Sequence, residues 1–359
     1  LALKFAPAIK ELEGLGYPGI SDPKLTITTK VMTSETLKHD SAVQYALSKT
    51  DNTLKLPEKY DGLGYQNLIS MVFDLMGFRD DWMREGKAKD TNTVIEPMHL
   101  VLVEEPEAHL HIQVQQVFIR QAYKVLTNHK FLKQNLNFTT QLVISTHSSH
   151  IAIETTFGNL RYFKRLPEGT ECAVATSKVI NLSDVFGDSD QTNKFVTRYL
   201  QSTHCDLFFA DAAILVEGVA ESMLLPHFIR SKFPELYQRY ITILGVNGRH
   251  AHRLSPLIEK LCLPTLVITD LDPAEKEGYH KSVVPKRGEG QISGNYAIAK
   301  WLMKEKDIDK LVDYSEDKKE FSFASPYRFS IRLAYQTPVK VDFEGEEKEA
   351  IPGTFEDCL

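Results

Sequence analysis

Two acidic clusters in this chain have the residue types and spacing of phosphate chemistry. Residues 265–275 read TLVITDLDPAE, an apolar, β-branched run that ends in Asp270 and Asp272. Two residues apart in an extended chain, both carboxylates face one side, about 7 Å between Cα atoms. They repel unless a cation stands between them. ILVEGVAE adds Glu217 after another apolar run and Glu221 four residues on, one helical turn away on the same face. Four carboxylates on one sheet edge form an all-oxygen site of the kind hard Mg²⁺ or Mn²⁺ selects. The second cluster, EEPEAHLH, sets Glu104 and Glu105 after the run LVLV. An ATPase uses such a pair, the first acid orienting Mg²⁺ and its water shell, the second positioning the attacking water. His147, in ISTHSSH, can reach a γ-phosphate, and DGLGYQNLISMVF offers Gly62 and Gly64 as backbone amides for a phosphate at a helix start.

Parallel strands must carry these residues. Short apolar runs alternate with helical patterns, the sequence form of α/β architecture. MHLVLV (98–103) and QLVIS (141–145) bracket HIQVQQVFIRQAYKVL, where Val114, Val117, Phe118, Tyr123 and Leu126 fall near helical spacing. A second series, AAILV (212–216), YITILGV (240–246) and TLVIT (265–269), is separated by the helical patterns ESMLLPHFIRSKF and RLSPLIEKL. Ligands of open parallel sheets bind beyond the carboxyl ends of strands, and four of the five ends carry acids or a histidine. The polar stretch 159–205, with RLPEGTE and NLSDVFGDSDQTN, reads as turns and a linker. The expected domains are therefore 1–165, a linker at 166–205, and 206–359.

Composition agrees with a globular protein of about two domains: 359 residues, 42% hydrophobic. No apolar run approaches the roughly 18 residues of a membrane span, and the N-terminal LALKFAPAIKELEG has no signal-peptide pattern, so a cytoplasmic protein without membrane contact is expected. Cys172, Cys205, Cys262 and Cys358 lack CxxC spacing and predict reduced structural thiols. A net charge of −6 excludes coating of nucleic acid by bulk attraction but permits a local basic groove or a site where metal ions cancel the acids. Asn247 and Gly248 read as a simple turn, or as a place where backbone approaches a phosphate. His250 and His252 with Arg249 and Arg253 fit either DNA contact or a solvated helix start, and Lys281, Lys286 and Arg287 form a loop charge run able to hold a phosphate backbone.

The ordered set GLGYQNLI, EEPEAHLH, STHS resembles the ABC-type ATPase lobe of the RecF and SMC kind, with a degenerate signature loop, Walker B, D-loop and switch histidine. That resemblance implies nucleotide contacts from Gly62, Gly64, Gln66, Asn67, Glu104, Glu105 and His147. No GxxxxGK[ST] loop occurs, and the Gly86–Lys87 pair lacks the upstream glycine and the Ser or Thr. The phosphate-loop half of the lobe is therefore expected to lie outside this sequence. Strand-EG-helix followed by strand-DLD resembles the Toprim domain, with Glu217 as metal-binding or acid/base glutamate and Asp270 and Asp272 as the DxD ligands.

An ABC-type lobe followed directly by Toprim resembles the OLD (overcoming lysogenisation defect) family of bacterial anti-phage effectors. The resemblance implies a homodimer or higher homo-oligomer in which ATP controls a metal-dependent DNA endonuclease using two Mg²⁺ or Mn²⁺ ions, and leaves room for a helicase or other defence-system partner. Rival readings are a non-catalytic RecF- or SMC-like DNA clamp, which has no use for the four-carboxylate set, and a topoisomerase, which needs a DNA-gate domain. Each hard cation takes about six oxygens, so a further acid is expected. Glu356 or Asp357 follows the Pro-Gly turn in AIPGTFEDCL, and Glu356 is expected to face the metal site.

Overall fold

The computed structural model describes residues 2–14, 24–30, 40–46, 55–57, 62–85, 94–135, 137–166, 174–183, 185, 199–200, 205–246, 250–276, 283–324 and 328–358. Gly86, Lys87, Cys172, Asn247, Gly248, Arg249 and Lys281 lie outside them. The chain divides into two compact units, Leu1–Thr155 and Thr156–Leu359.

In the first unit, helix α1 (Ala2–Gly14) precedes an antiparallel sheet of β1 (Lys24–Lys30), β2 (Asp40–Ala46) and β3 (Lys55–Pro57). The sequence reading did not anticipate this sheet. Helix α2 (Leu63–Trp82) buries Leu68, Ile69, Val72, Leu75 and Met76, spaced one face of a 3.6-residue helix. Strand β4 (Met98–Glu104) runs parallel to β5 (Thr139–Ser145), linked through α3 (Ile112–Thr127) and the short α4 (Lys130–Gln134). This is the expected βαβ unit. Its helix buries Gln115, Phe118, Ala122, Val125 and Leu126, whereas Tyr123 is exposed, so the apolar stripe is rotated from the one read in sequence. Buried Arg79 joins the helices: its guanidinium donates to Val125 O (3.1 Å) and Asn128 O (3.2 Å), carbonyls that the end of α3 leaves unpaired. Helix α5 (Ser149–Glu154) follows β5.

The second unit begins with an antiparallel hairpin, β6 (Arg161–Leu166) and β7 (Thr176–Asn181), inside the stretch expected as turns and linker. Strand β6 alternates exposed and half-buried residues and carries Lys and Arg, while β7 buries only Ile180, so neither reads as an apolar run. A five-stranded sheet follows, built from β8 (Ala212–Val216), β9 (Ile241–Gly245), β10 (Thr265–Ile268), β13 (Glu320–Phe323) and β14 (Phe329–Ala334). Its order is β13-β14-β10-β8-β9, parallel except for β13. A two-residue ladder, β11 (Pro273–Ala274) with β12 (Ile292–Ser293), lies between β10 and β13 in sequence, and the hairpin β15 (Val339–Phe343) with β16 (Glu346–Ala350) closes the unit.

The central strands read as continuous apolar runs because both faces are covered. Leu215, Val216 and Val267 are buried with Leu254, Leu257, Ile258, Leu261, Ile331 and Leu333. The Ser255–Leu261 helix ends at Cys262, which is left-handed at φ +49°. Lys164 Nζ from the hairpin caps that end, donating to Leu261 O (2.6 Å) and Cys262 O (2.9 Å). From β8 the chain passes to β9 on one side and then to β10 on the other. A crevice opens at such a reversal, beyond the carboxyl ends of the two strands. Among the described residues Cys205, Cys262 and Cys358 are free thiols, and no helix is long and apolar enough to cross a membrane.

Candidate functional site

Sheet register brings the acids of the second unit together. Thr265 pairs with Ala213 and Val267 with Leu215, so one further step sets Thr269 beside Glu217. On the other side Ile268 pairs with Ala334, so Asp270 falls beside Gln336. The side chains meet accordingly. Thr269 Oγ1 donates to Glu217 Oε1, the Asp270 amide reaches the same oxygen at 3.1 Å, and Gln336 Nε2 donates to Asp270 Oδ1. Gln336 is anchored in turn, its Oε1 accepting the Leu271 amide at 2.8 Å.

Asn295, fully buried, completes the group from the loop after β12. Its Nδ2 lies 2.7 Å from Glu217 Oε1, 2.8 Å from Thr269 Oγ1, 3.2 Å from Asp270 O and 3.3 Å from Asp272 Oδ2. Asp272 is not in extended chain as expected: β10 stops at Ile268 and Asp272 is left-handed, φ +48°. A turn, rather than the two-residue strand period, brings its carboxylate round to the group.

Burial pushes the Glu217 carboxyl above its usual range, opposed by the Thr269 hydrogen bond and reinforced by the charge of Asp272. Burial likewise raises Asp270, to about 6, with the charges of Glu217, Asp272 and Glu221 adding to it and Gln336 opposing. Glu221 is buried, and its Oε2 accepts the Gly218 amide at 3.1 Å, closing the N-terminus of the Val219–Lys232 helix. Of the expected four-carboxylate set, Glu221 is thus turned onto backbone.

Asp270 and Asp272 open onto a cleft of about 1340 Å³, whose walls include Lys276, Lys286, Pro352, Gly353 and Asp357. Of the two acids expected from the sequence, Asp357 lines the cleft and Glu356 is not among its lining residues. The short helix Glu356–Cys358 turns successive side chains apart, and the Asp357 carboxylate is fixed by the amides of Gly353 and Thr354, both at 3.0 Å. Arg287 of the loop charge run is held by Asp313 (2.7 Å) and Glu349 (3.1 Å), and His250 and His252 lie with ring centroids 6.5 Å apart.

The oxygen-only chemistry of Glu217, Asp270 and Asp272 fits a hard divalent cation. Among the described residues, however, no three His, Cys, Asp or Glu side chains converge closely enough to hold one as they stand. The hydrogen bonds give the reason: Glu217 Oε1 is taken by Thr269 and Asn295, Asp270 Oδ1 by Gln336. The like charges are spaced by neutral donors, so the donor set fits while its present rotamers do not close. Thr269, Asn295 and Gln336 were missed in sequence.

In the first unit, Glu104 ends β4 opposite Ser145, and Glu105 leaves the strand left-handed at φ +44°, its amide bonded to Ser145 O at 3.0 Å. His147 Nε2 stands 3.4 Å from Glu105 Oε1, with the two side chains 81% and 59% exposed, a pairing weak in water and open to a ligand. Glu107 ties the two strand ends together: its Oε1 accepts Thr146 Oγ1 (2.9 Å) and the His147 amide (2.6 Å). The GLGYQNLI segment, the start of α2, packs against EEPEAHLH. Asn67 Nδ2 donates to Ala108 O at 2.6 Å, and a Cβ on Gly64 would come within 2.6 Å of His109 O. Gly62 caps α2 and faces open space, and Gln66 sits in the first turn, its amide on Gly62 O at 3.3 Å.

Comparison with known proteins finds one match within each unit. An AAA ATPase domain family model matches residues 4–152, and a model described as "Overcoming lysogenization defect protein-like, TOPRIM domain" matches 208–272. Endonuclease GajA of Bacillus cereus strain HuB5-5 is 30% identical over 86% of this chain and 42% of its own length. The GajA of strain VD045 is 24% identical over 61% of this chain and 33% of its own. The chain thus spans about two fifths or less of these relatives. A solved chain from work on SMC ATPases overlays with TM-score 0.24 and 10% identity, across 51% of this chain and 91% of that one, too loosely to argue from. With residues 4–152 matching an AAA ATPase domain and 208–272 an OLD-like Toprim domain, the chain is similar in its tandem arrangement to OLD-family ATPase–Toprim proteins.

Proposed function

We propose that this chain contributes the nuclease centre and part of the nucleotide site of an ATP-regulated, divalent-metal-dependent DNA endonuclease acting in anti-phage defence. The observation that carries the reading is the register of β8 and β10, which brings Glu217 and Asp270 to adjacent strand ends at the sheet's reversal, with Asp272 on the next turn. The relatives' name, endonuclease, supports the same activity. Bound Mg²⁺ or Mn²⁺ would supply a water nucleophile at neutral pH and neutralise charge developing on the phosphodiester. Glu217, Asp270 and Asp272 are the residues to hold it. Because Glu217 Oε1 already accepts three hydrogen bonds, any proton this buried carboxyl takes up is carried on Oε2, the oxygen suited to acid/base work. Lys276 and Lys286 in the cleft wall offer charge to a DNA backbone.

In the ATPase unit we assign Glu104 to orienting nucleotide-bound Mg²⁺, Glu105 to positioning water, His147 to the γ-phosphate, and Gly62, Gly64, Gln66 and Asn67 to the signature-like loop. A homodimer or larger assembly and a helicase or other defence partner accompany this reading through the family resemblance, and a cytoplasmic location is kept from the sequence expectation. Supercoiled plasmid with Mg²⁺ or Mn²⁺ tests it: nicked or linear product is expected from the whole protein and none from Asp270→Ala or Glu217→Gln. Relaxed closed circles, an unchanged plasmid, or equal cleavage by the variants would refute it.

A further inference from the structure

The central atom of the acidic group is an amide nitrogen. Asn295 Nδ2 has four oxygens within 3.3 Å, from Glu217, Thr269, Asp270 and Asp272, yet an amide has only two hydrogens to give. Its orientation is set from the other end. Asn295 Oδ1 accepts the Ala297 amide at 2.9 Å, and the Asn295 amide donates to Ser293 Oγ at 3.2 Å, so the NH₂ must face the acids. Two carboxylates, a hydroxyl and a carbonyl around one point are the ligand chemistry a hard cation takes. Here a neutral donor occupies that point.

We infer that the Asn295 carboxamide is a built-in stand-in for the first divalent cation, holding Glu217 and Asp272 in place without metal and competing with metal for the same oxygens. This rests on the nuclease reading above and adds to it a residue that sets metal affinity. Metal entry displaces the Asn295 hydrogen bonds, so loading is weakened by their strength. Asn rather than Asp is needed here because Asp would keep the Ala297 bond through one oxygen and set a further carboxylate among the acids with the other. The metal-free site would then repel itself and the loaded site would gain a ligand.

The test is calorimetric titration of Mn²⁺ into the whole protein, with melting curves in chelator and in Mn²⁺, for the parent, Asn295→Asp and Asn295→Ala. The expected result is Mn²⁺ binding tightened about tenfold or more by Asn295→Asp, and to a lesser extent by Asn295→Ala. Both variants should melt lower than the parent in chelator and gain more from Mn²⁺ than it does. Should Asn295→Asp not fold without metal, Asn295→Ala carries the comparison. Parent-like or weaker Mn²⁺ binding by the variants, with the parent binding normally, overturns the role of Asn295 and leaves the metal site standing. No Mn²⁺ binding by any of the three overturns both.

Discussion

Asp270→Asn removes a charge that the metal-free site holds at a cost. The carboxyl is raised from an ordinary 3.8 to about 6, first by burial and then by Glu217, Asp272 and Glu221, so the folded protein binds its proton more tightly than the unfolded chain does. Stability from that proton is full below 3.8 and is lost as pH rises through about 6. Two units correspond to a ceiling of about 3 kcal/mol above pH 7. Asp270 is partly open to the cleft, and solvent screening reduces this to about 1–2 kcal/mol. Asparagine keeps the oxygen that accepts from Gln336 while losing the charge. In chelator at pH 8 the variant should therefore melt roughly 3–6 °C above the parent, taking about 3 °C per kcal/mol for a unit of this size. The difference should shrink by about half at pH 5, where the parent is largely protonated. Mn²⁺ should raise the parent's melting temperature and leave the variant's nearly unchanged. A variant that melts lower in chelator at pH 8, or a difference that does not change with pH, would refute the electrostatic reasoning.

Two further outcomes follow from the first unit. Gly64→Ala sets helix propensity, which favours alanine by about 0.5–1 kcal/mol, against a Cβ placed 2.6 Å from the His109 carbonyl oxygen. Overpacking of that kind costs about 1–3 kcal/mol, so the variant should unfold at lower denaturant; an unchanged midpoint would mean that the start of α2 does not touch the turn at His109. Glu107→Ala strands the Thr146 hydroxyl and the His147 amide, costing about 1–3 kcal/mol, whereas Glu105→Gln alters an exposed group and should leave the midpoint alone while lowering ATP turnover by the whole protein. Undiminished turnover in Glu105→Gln would remove it from the water-positioning role.

What was legible in the sequence was what periodicity and strand-end chemistry encode. AAILV is a strand over its full expected length, and MHLVLV, QLVIS, YITILGV and TLVIT shift by no more than two residues at either end. MHLVLV, AAILV and TLVIT are followed by acids, and all five are short apolar runs, so the signals were strong. Hairpin β6–β7 and the β1–β2–β3 sheet were missed because their strands mix Lys, Arg, Thr and Gln with apolar residues. Strand β14 was missed too, although FSIRLAYQ alternates well, and with it went Gln336. The rule that flagged Glu217 and Asp270 would have flagged Gln336 had that strand been drawn. Asn295 had no such signal, since Ser-Gly-Asn reads as an ordinary turn and its partners lie 23 to 78 residues away. Between Glu356 and Asp357 the sequence offers no choice, because a tight helical turn at 356–358 sets which of two adjacent acids lines the cleft, and spacing does not record it.

The backbone at these acids carries information of its own. Among the described non-glycine residues seven have positive φ, and two of them are Glu105 and Asp272, each one to four residues beyond a parallel strand. A left-handed turn costs an L-residue about 1–2 kcal/mol, which packing elsewhere must offset. In the first unit the turn breaks the strand's alternation, which would otherwise project Glu105 away from Glu104; in the second, β10 has already ended at Ile268 and the turn alone sets where the Asp272 carboxylate goes. Glu105 is brought within 3.4 Å of His147 across the ends of β4 and β5, and Asp272 within 3.3 Å of the amide that also holds Glu217. Strain at such positions is a recurrent property of functional sites. Here it has a definite geometric product: Glu105 is carried to His147 beyond the end of β4, and Asp272 to the Asn295 amide beyond the end of β10.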